Sequence, residues 1–151
     1  MNNIDANEIY TNLWIGSKPP EGRLLANAGF THLFLCSDEY QPDKLKFENI
    51  EIIRCPFEDS DTFMSGNQLA FIAMAAKLGA KIHKNGGKIL ITCIAGKNRS
   101  ALITALIARL LGKKPHVAVD TIKAKRNDKC LSNTCFLRIA LGINKQIEFY
   151  L

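Results

Sequence analysis

Residues 88–106 read KILITCIAGKNRSALITAL. The first five, KILIT, are the clearest buried-strand signal in the chain, because a short apolar run ends abruptly in polar residues. Residues 101–111 are apolar at helical length, and Gly112 is placed to close that helix. Only CIAGKNRS lies between them, so the order is strand, tight loop, helix. A strand that feeds a helix through so few residues belongs in a parallel sheet.

The loop carries chemistry as well as topology. Cys93 sits where the strand ends, Arg99 follows six positions later, and Ser100 comes next. A loop entering a helix N-terminus aims several backbone N–H groups into one concavity, where the helix dipole adds positive charge. Such a nest binds a tetrahedral oxyanion. In this reading the N–H groups of Ile94, Ala95, Gly96, Lys97 and Asn98 line the nest, and Arg99 adds a planar fork to two phosphate oxygens. The same field favours the thiolate of Cys93 and makes it a nucleophile. Gly96 supplies the backbone freedom to close the loop. Ser100 hydrogen-bonds to the sulfur and helps it leave in a second step. The plainer alternative is a buried cysteine closing a strand and an arginine without a ligand. The abrupt strand–Gly–helix context argues against it.

Outward from this segment, the same alternation continues. Residues 9–15 (IYTNLWI) read as a hairpin or two short strands, and residues 21–28 as a helix ending at Gly29. Residues 31–36 and 50–55 are strands, with Pro56 stopping the second, and residues 43–47 form a brief helix. Residues 67–83 are helical in period, with Leu69, Ile72, Ala76, Leu78 or Gly79, and Ile82 on one face. Pro115 opens a helix to about Arg126, and a last helix covers residues 134–147. The fold expected is α/β, one domain over residues 1–151, with a mainly parallel central sheet flanked by helices.

Composition agrees with one compact unit: 151 residues, 47% apolar and 23% charged. No apolar run is long enough to cross a bilayer, and the N-terminus has no secretory pattern. Twenty basic against fourteen acidic residues give a net charge of +6, which suits an anionic partner or merely keeps the chain soluble. Five cysteines, an odd number, and three scattered histidines show no metal-ligand spacing. A reducing, cytoplasmic setting is expected, with most of the thiols buried as small hydrophobes.

CIAGKNRS resembles the phosphate-binding loop of cysteine-dependent protein phosphatases, whose signature is His-Cys-x5-Arg-Ser/Thr, and is most similar to the dual-specificity phosphatases. IYTNLWIGS is similar to that family's first strands, CPFEDSD to its general-acid loop, and KAKRNDKCLSNTCFL to its later helix–loop segment. The resemblance implies hydrolysis of phosphotyrosine and phosphoserine or phosphothreonine in proteins through a phosphocysteine, at a shallow site, by a monomer needing no cofactor and no metal. It implies a general acid in residues 57–62. The PFED match points to Asp59, whereas the separation from Cys93 points to Asp61. Asn133 would hold the phosphate loop in shape. Departures are Thr92 where the family usually has His, Ser132 where it commonly has Pro, and Lys97 inside the loop. The Thr92 hydroxyl is expected to replace the His in part. Lys97 raises the alternatives of a phosphoinositide or an RNA 5′ end as substrate, and Thr92 that of a phosphate-binding module with little turnover. The basic run Lys113, Lys114, Lys123, Lys125, Arg126 and Lys129 is either an anion-attracting patch or a solvated face. Phe63, Phe71 and Phe136 are expected in the core.

Overall fold

The computed structural model describes residues 4–151. Its five strands are β1 (Ala6–Tyr10), β2 (Leu13–Gly16), β3 (His32–Ser37), β4 (Glu51–Phe57) and β5 (Ile89–Thr92). They lie side by side in the order β1-β2-β5-β3-β4. Only the β1–β2 hairpin is antiparallel; β5 runs parallel to both β2 and β3, and β3 parallel to β4. All four residues of β5 are buried, as the central position demands. Alternate side chains of β3 and β5 go to opposite faces. Phe34, Cys36, Ile89 and Ile91 join the larger core, and Leu33, Leu35 and Leu90 the smaller.

The helices are α1 (Leu24–Asn27), α2 (Gly66–Lys84), α3 (Arg99–Leu110), α4 (Pro115–Lys125) and α5 (Thr134–Ala140). The larger core takes residues from α2 through α5, whereas the smaller is closed by Leu25 of α1 with Phe30 and Phe47. The first ten residues of α3 are all buried, so this helix runs through the middle of the larger layer. A Cβ on Gly79 of α2 would run into Ile107 of α3, so the glycine lets the two helices approach closely. Ser65 and Gln68 form a reciprocal capping box that fixes where α2 begins. No helix is long and apolar enough to cross a membrane among the described residues.

Several boundaries differ from the sequence reading, each for a local reason. Pro56 does not stop β4, which continues to Phe57. The strand lies at the sheet edge, where a residue without an N–H is tolerated. The helix expected over residues 21–28 shrinks to the four residues of α1. The helix expected over 134–147 ends at Ala140, because Gly142 adopts φ +77° and turns the chain into a separate 3-10 segment, Lys145–Phe149. Of the pair Leu78 or Gly79, Gly79 faces the core and Leu78 faces solvent.

Candidate active site

Three parallel strands, β3, β4 and β5, end on the same edge of the sheet, and their C-terminal extensions meet there. This is where an open α/β sheet places ligands. The extension of β5 is the loop 93–98, which leads straight into α3.

The loop is shaped by what its carbonyls do. The Ile94 carbonyl accepts from the Lys18 N–H (3.1 Å) and the Lys97 carbonyl from the Leu131 N–H (2.8 Å). Between them, Arg126 donates to the carbonyls of Ala95 and Gly96, both at 3.1 Å. Four successive carbonyls are thus held by groups outside the loop. In a trans peptide the N–H points opposite to the C=O, so the amides of residues 95–98 are turned to the other side. Asn98 offers no side-chain cap to α3, which leaves the helix N-terminus open toward the same concavity.

Cys93 is buried where the loop leaves β5, 5% exposed and packed with the larger core. Its Sγ accepts from the Ser100 N–H at 3.5 Å and lies 3.2 Å from the Ser100 hydroxyl. Arg99 is equally buried, at 5%. Its Nη1 donates to Asp38 (3.0 Å), Glu39 (2.5 Å) and the Phe57 carbonyl (3.3 Å), whereas its Nε has no partner. Burial opposes the guanidinium's charge, but the hydrogen bond to Glu39 and the carboxylates around it raise its pKa. In return, the Arg99 hydrogen bond holds the Glu39 carboxyl below its ordinary range.

Asp59 is brought to the loop. Its Oδ1 accepts from Asn133 Nδ2 (3.0 Å) and its Oδ2 from Asn98 Nδ2 (3.3 Å). Asn98 Oδ1 in turn accepts from the Asn133 main-chain N–H (3.0 Å), closing a ring of three residues. Asp61 lines the same groove without those bonds to the loop. The groove, about 740 Å³, is lined by Asp38, Glu39, Glu58, Asp59 and Asp61 together with Ser60, Asn98, Ser132 and Asn133. The electropositive rim implied by the loop is therefore carboxylate-rich on this side.

Other expectations change. The Thr92 hydroxyl donates to the Phe34 carbonyl (2.7 Å) inside the sheet, so it is spent there instead of standing in for a loop histidine. Asn133 reaches the loop through its main-chain N–H, while its side chain caps α5 and holds Asp59. Lys97 is not among the residues that line the groove. The lysine-rich run is not one patch: Lys125 donates to the Ile9 carbonyl, Lys113 lies over Tyr10, and Arg126 is buried against the loop. Phe136 is core, but Phe63 is 78% and Phe71 39% exposed, because one sits in the loop before α2 and the other on that helix's outer face.

Asp38 and Glu39 were not singled out by the sequence reading, and Arg126 appeared there only as one member of a basic run. The first two had a readable signal, because acidic residues directly after a parallel strand fall at the ligand-binding edge.

A family model described as the dual specificity phosphatase catalytic domain matches residues 13–145. Mouse dual specificity protein phosphatase 26 is 25% identical over 147 residues, covering 95% of this chain and 69% of its own. The crystal structure of human DUSP28 has a TM-score of 0.73 at 22% identity, over 96% of this chain and 91% of that one. PTPMT1, crystallised in complex with PI(5)P, has a TM-score of 0.74 at 16% identity, over 95% and 97% of the two chains. At these identities the two structures speak for the fold.

Proposed function

Because the chain belongs to the dual specificity phosphatase family, we propose that it removes phosphate from phosphotyrosine and phosphoserine or phosphothreonine in proteins through a phosphocysteine on Cys93. The observation that carries this is the loop itself: four carbonyls held from outside, amides turned to the other side, and a buried sulfur hydrogen-bonded by the first turn of α3.

The Cys93 thiolate attacks phosphorus, and the bond from phosphorus to the leaving oxygen breaks. Asp59 gives its proton to that oxygen. The equatorial oxygens take hydrogen bonds from the loop amides and from Arg99, whose unpartnered Nε is ready to donate. Asp59, now ionised, takes a proton from water. The water oxygen attacks phosphorus, and the S–P bond breaks. The Ser100 hydroxyl, 3.2 Å from the sulfur, donates to the departing thiolate. Charge is stabilised by amides and guanidinium, without calling on a metal. Residues 1–151 act as one catalytic domain and as a monomer, in the reducing cytoplasm.

The carboxylates lining the groove favour a protein substrate. An inositol phosphate headgroup or an RNA 5′ end brings several negative charges to that wall, whereas a peptide brings one phosphate and neighbours of either sign. Lys97, the residue that argued for the lipid, does not line that groove.

Wild type, Cys93→Ser and Asp59→Ala are compared on an aryl phosphate. Vanadate-sensitive turnover in wild type and none in Cys93→Ser is expected. If wild type binds vanadate but turns over no faster than Cys93→Ser, the chain is a phosphate-binding module and the enzyme reading fails. A hundredfold preference for inositol lipid or triphosphorylated RNA over phosphopeptide overturns the choice of substrate.

A further inference from the structure

The four carbonyls that shape the phosphate loop are not held in the same way. The outer two accept from main-chain N–H groups, of Lys18 and Leu131, which no side-chain substitution removes. The inner two depend on one side chain. Arg126 Nε donates to the Gly96 carbonyl and Nη2 to the Ala95 carbonyl, each at 3.1 Å. The rest of the guanidinium is tied to β1 and the residue before it. Nη1 donates to Asp5 Oδ1 (2.9 Å) and Asn7 Oδ1 (3.0 Å), and Nη2 to Asp5 Oδ2 (3.1 Å). The side chain is only 6% exposed, and hydrogen bonding to it holds the Asp5 carboxyl below its ordinary pKa.

We propose that Arg126, anchored by Asp5, is a positioning residue for phosphoryl transfer: it draws the Ala95 and Gly96 carbonyls outward and so aims the amides of Gly96 and Lys97 at the phosphate. This rests on the phosphatase reading given above. The link is the peptide plane. Turning a carbonyl outward turns the next residue's N–H inward, and losing the hold frees both to rotate. Carbonyls turned inward would present partial negative charge to a phosphate. An arginine is required because its planar fork satisfies two carbonyls and a bidentate carboxylate at once. A lysine ammonium has three donors at one point and cannot span them. A role confined to stability would leave the folded fraction fully active. A positioning role instead weakens the transition state more than the ground state.

The test uses the whole chain with Arg126→Lys, Arg126→Ala and Asp5→Asn, measuring kcat and KM on an aryl phosphate, vanadate affinity, and the urea midpoint. Arg126→Lys and Arg126→Ala are expected to lose roughly 10- to 100-fold in kcat and in vanadate affinity, as misaimed donors do. Their KM should change less than about threefold. Asp5→Asn is expected to lose both in the same proportion but to a smaller extent. If Arg126→Ala does not fold, Arg126→Lys and Asp5→Asn carry the comparison. A folded Arg126→Lys with wild-type kcat and vanadate affinity overturns the proposal. So does a loss in KM alone. Wild type without vanadate-sensitive turnover overturns the phosphatase reading and this proposal with it, whereas an active wild type with unaffected variants overturns this proposal alone.

Discussion

Gly96→Ala is the substitution whose consequence follows most directly from the geometry. Gly96 has φ +68°, a conformation that costs an L-residue about 1–2 kcal/mol. Space is the larger difficulty. A Cβ there would lie 2.6 Å from Arg126 Nη2 and 2.7 Å from the carbonyl carbon and oxygen of Gly16. Gly16 cannot retreat, because it is paired with Thr92 in the sheet and its carbonyl accepts from the Cys93 N–H. Restoring ordinary contact at 3.4 Å from 2.7 Å moves the loop by about 0.7 Å. That shift loosens the two Arg126 hydrogen bonds, worth about 1 kcal/mol each. Together with the dihedral cost, the loss is roughly 2–4 kcal/mol, or about 5–15 °C in Tm for a domain of this size. Displacing catalytic groups by such a distance lowers kcat on the order of 100-fold. Gly86→Ala isolates the dihedral part, since Gly86 has φ +90° and nothing within 4 Å of its Cβ position. Thermal melts and aryl phosphate kinetics on both variants check this. Gly86→Ala should melt slightly below wild type with its kcat intact, and Gly96→Ala should lose both. If Gly96→Ala melts with Gly86→Ala and keeps its kcat, the packing of the loop against β2 is not what sets its shape.

The remaining predictions concern charge. Asp59→Asn should lower kcat by roughly 100- to 1,000-fold on substrates with poor leaving groups and much less on good ones, while Asp61→Asn stays within about threefold; the reverse pattern moves the general acid to Asp61. Phosphopeptides with flanking Lys or Arg should show higher kcat/KM than acidic-flanked ones, and Glu58→Gln with Asp61→Asn should narrow the gap, as should high salt; a preference that ignores salt contradicts the role given to the groove. The Asp5 carboxyl, lowered chiefly by its hydrogen bond from Arg126, has a folded pKa below its unfolded one. Its stabilising contribution is therefore present above the unfolded pKa, near 4, and is lost as pH falls through the folded value. The urea midpoints of wild type and Asp5→Asn should differ at pH 7 and converge toward pH 3; a gap that does not narrow contradicts this.

The central unit was legible because strand, loop and helix each carry an independent signal within residues 88–106. Thirty residues on either side, the signals are weaker and depend on neighbours. Pro56 reads as a stop, and only its place on the sheet edge explains why β4 runs past it. Phe71 reads as core on apolarity alone, but the face of α2 it shares with Met74 is the outer one. In the site, Cys93, Arg99, Ser100 and the loop were readable from one contiguous stretch. The ring of Asp59, Asn98 and Asn133 was readable only in part, because hydrogen bonds between residues 35 and 74 positions apart leave no local spacing. Arg126 was hidden in a run of lysines, where nothing in the sequence distinguishes the cation that turns onto the phosphate loop. Thr92 was assigned by its place beside Cys93, but its side chain points the other way along the pleat, to β3.

The most direct measurement is a rapid acid quench of Asp59→Ala during turnover of an aryl phosphate with a good leaving group, followed by mass analysis of the proteolytic fragment that holds Cys93. The account predicts one added phosphate on that fragment, on Cys93 alone among the five cysteines, and none when the same quench is made with Cys93→Ser. Aryl phosphate consumed with no phosphate ever found on Cys93, or consumed equally by Cys93→Ser, would contradict it.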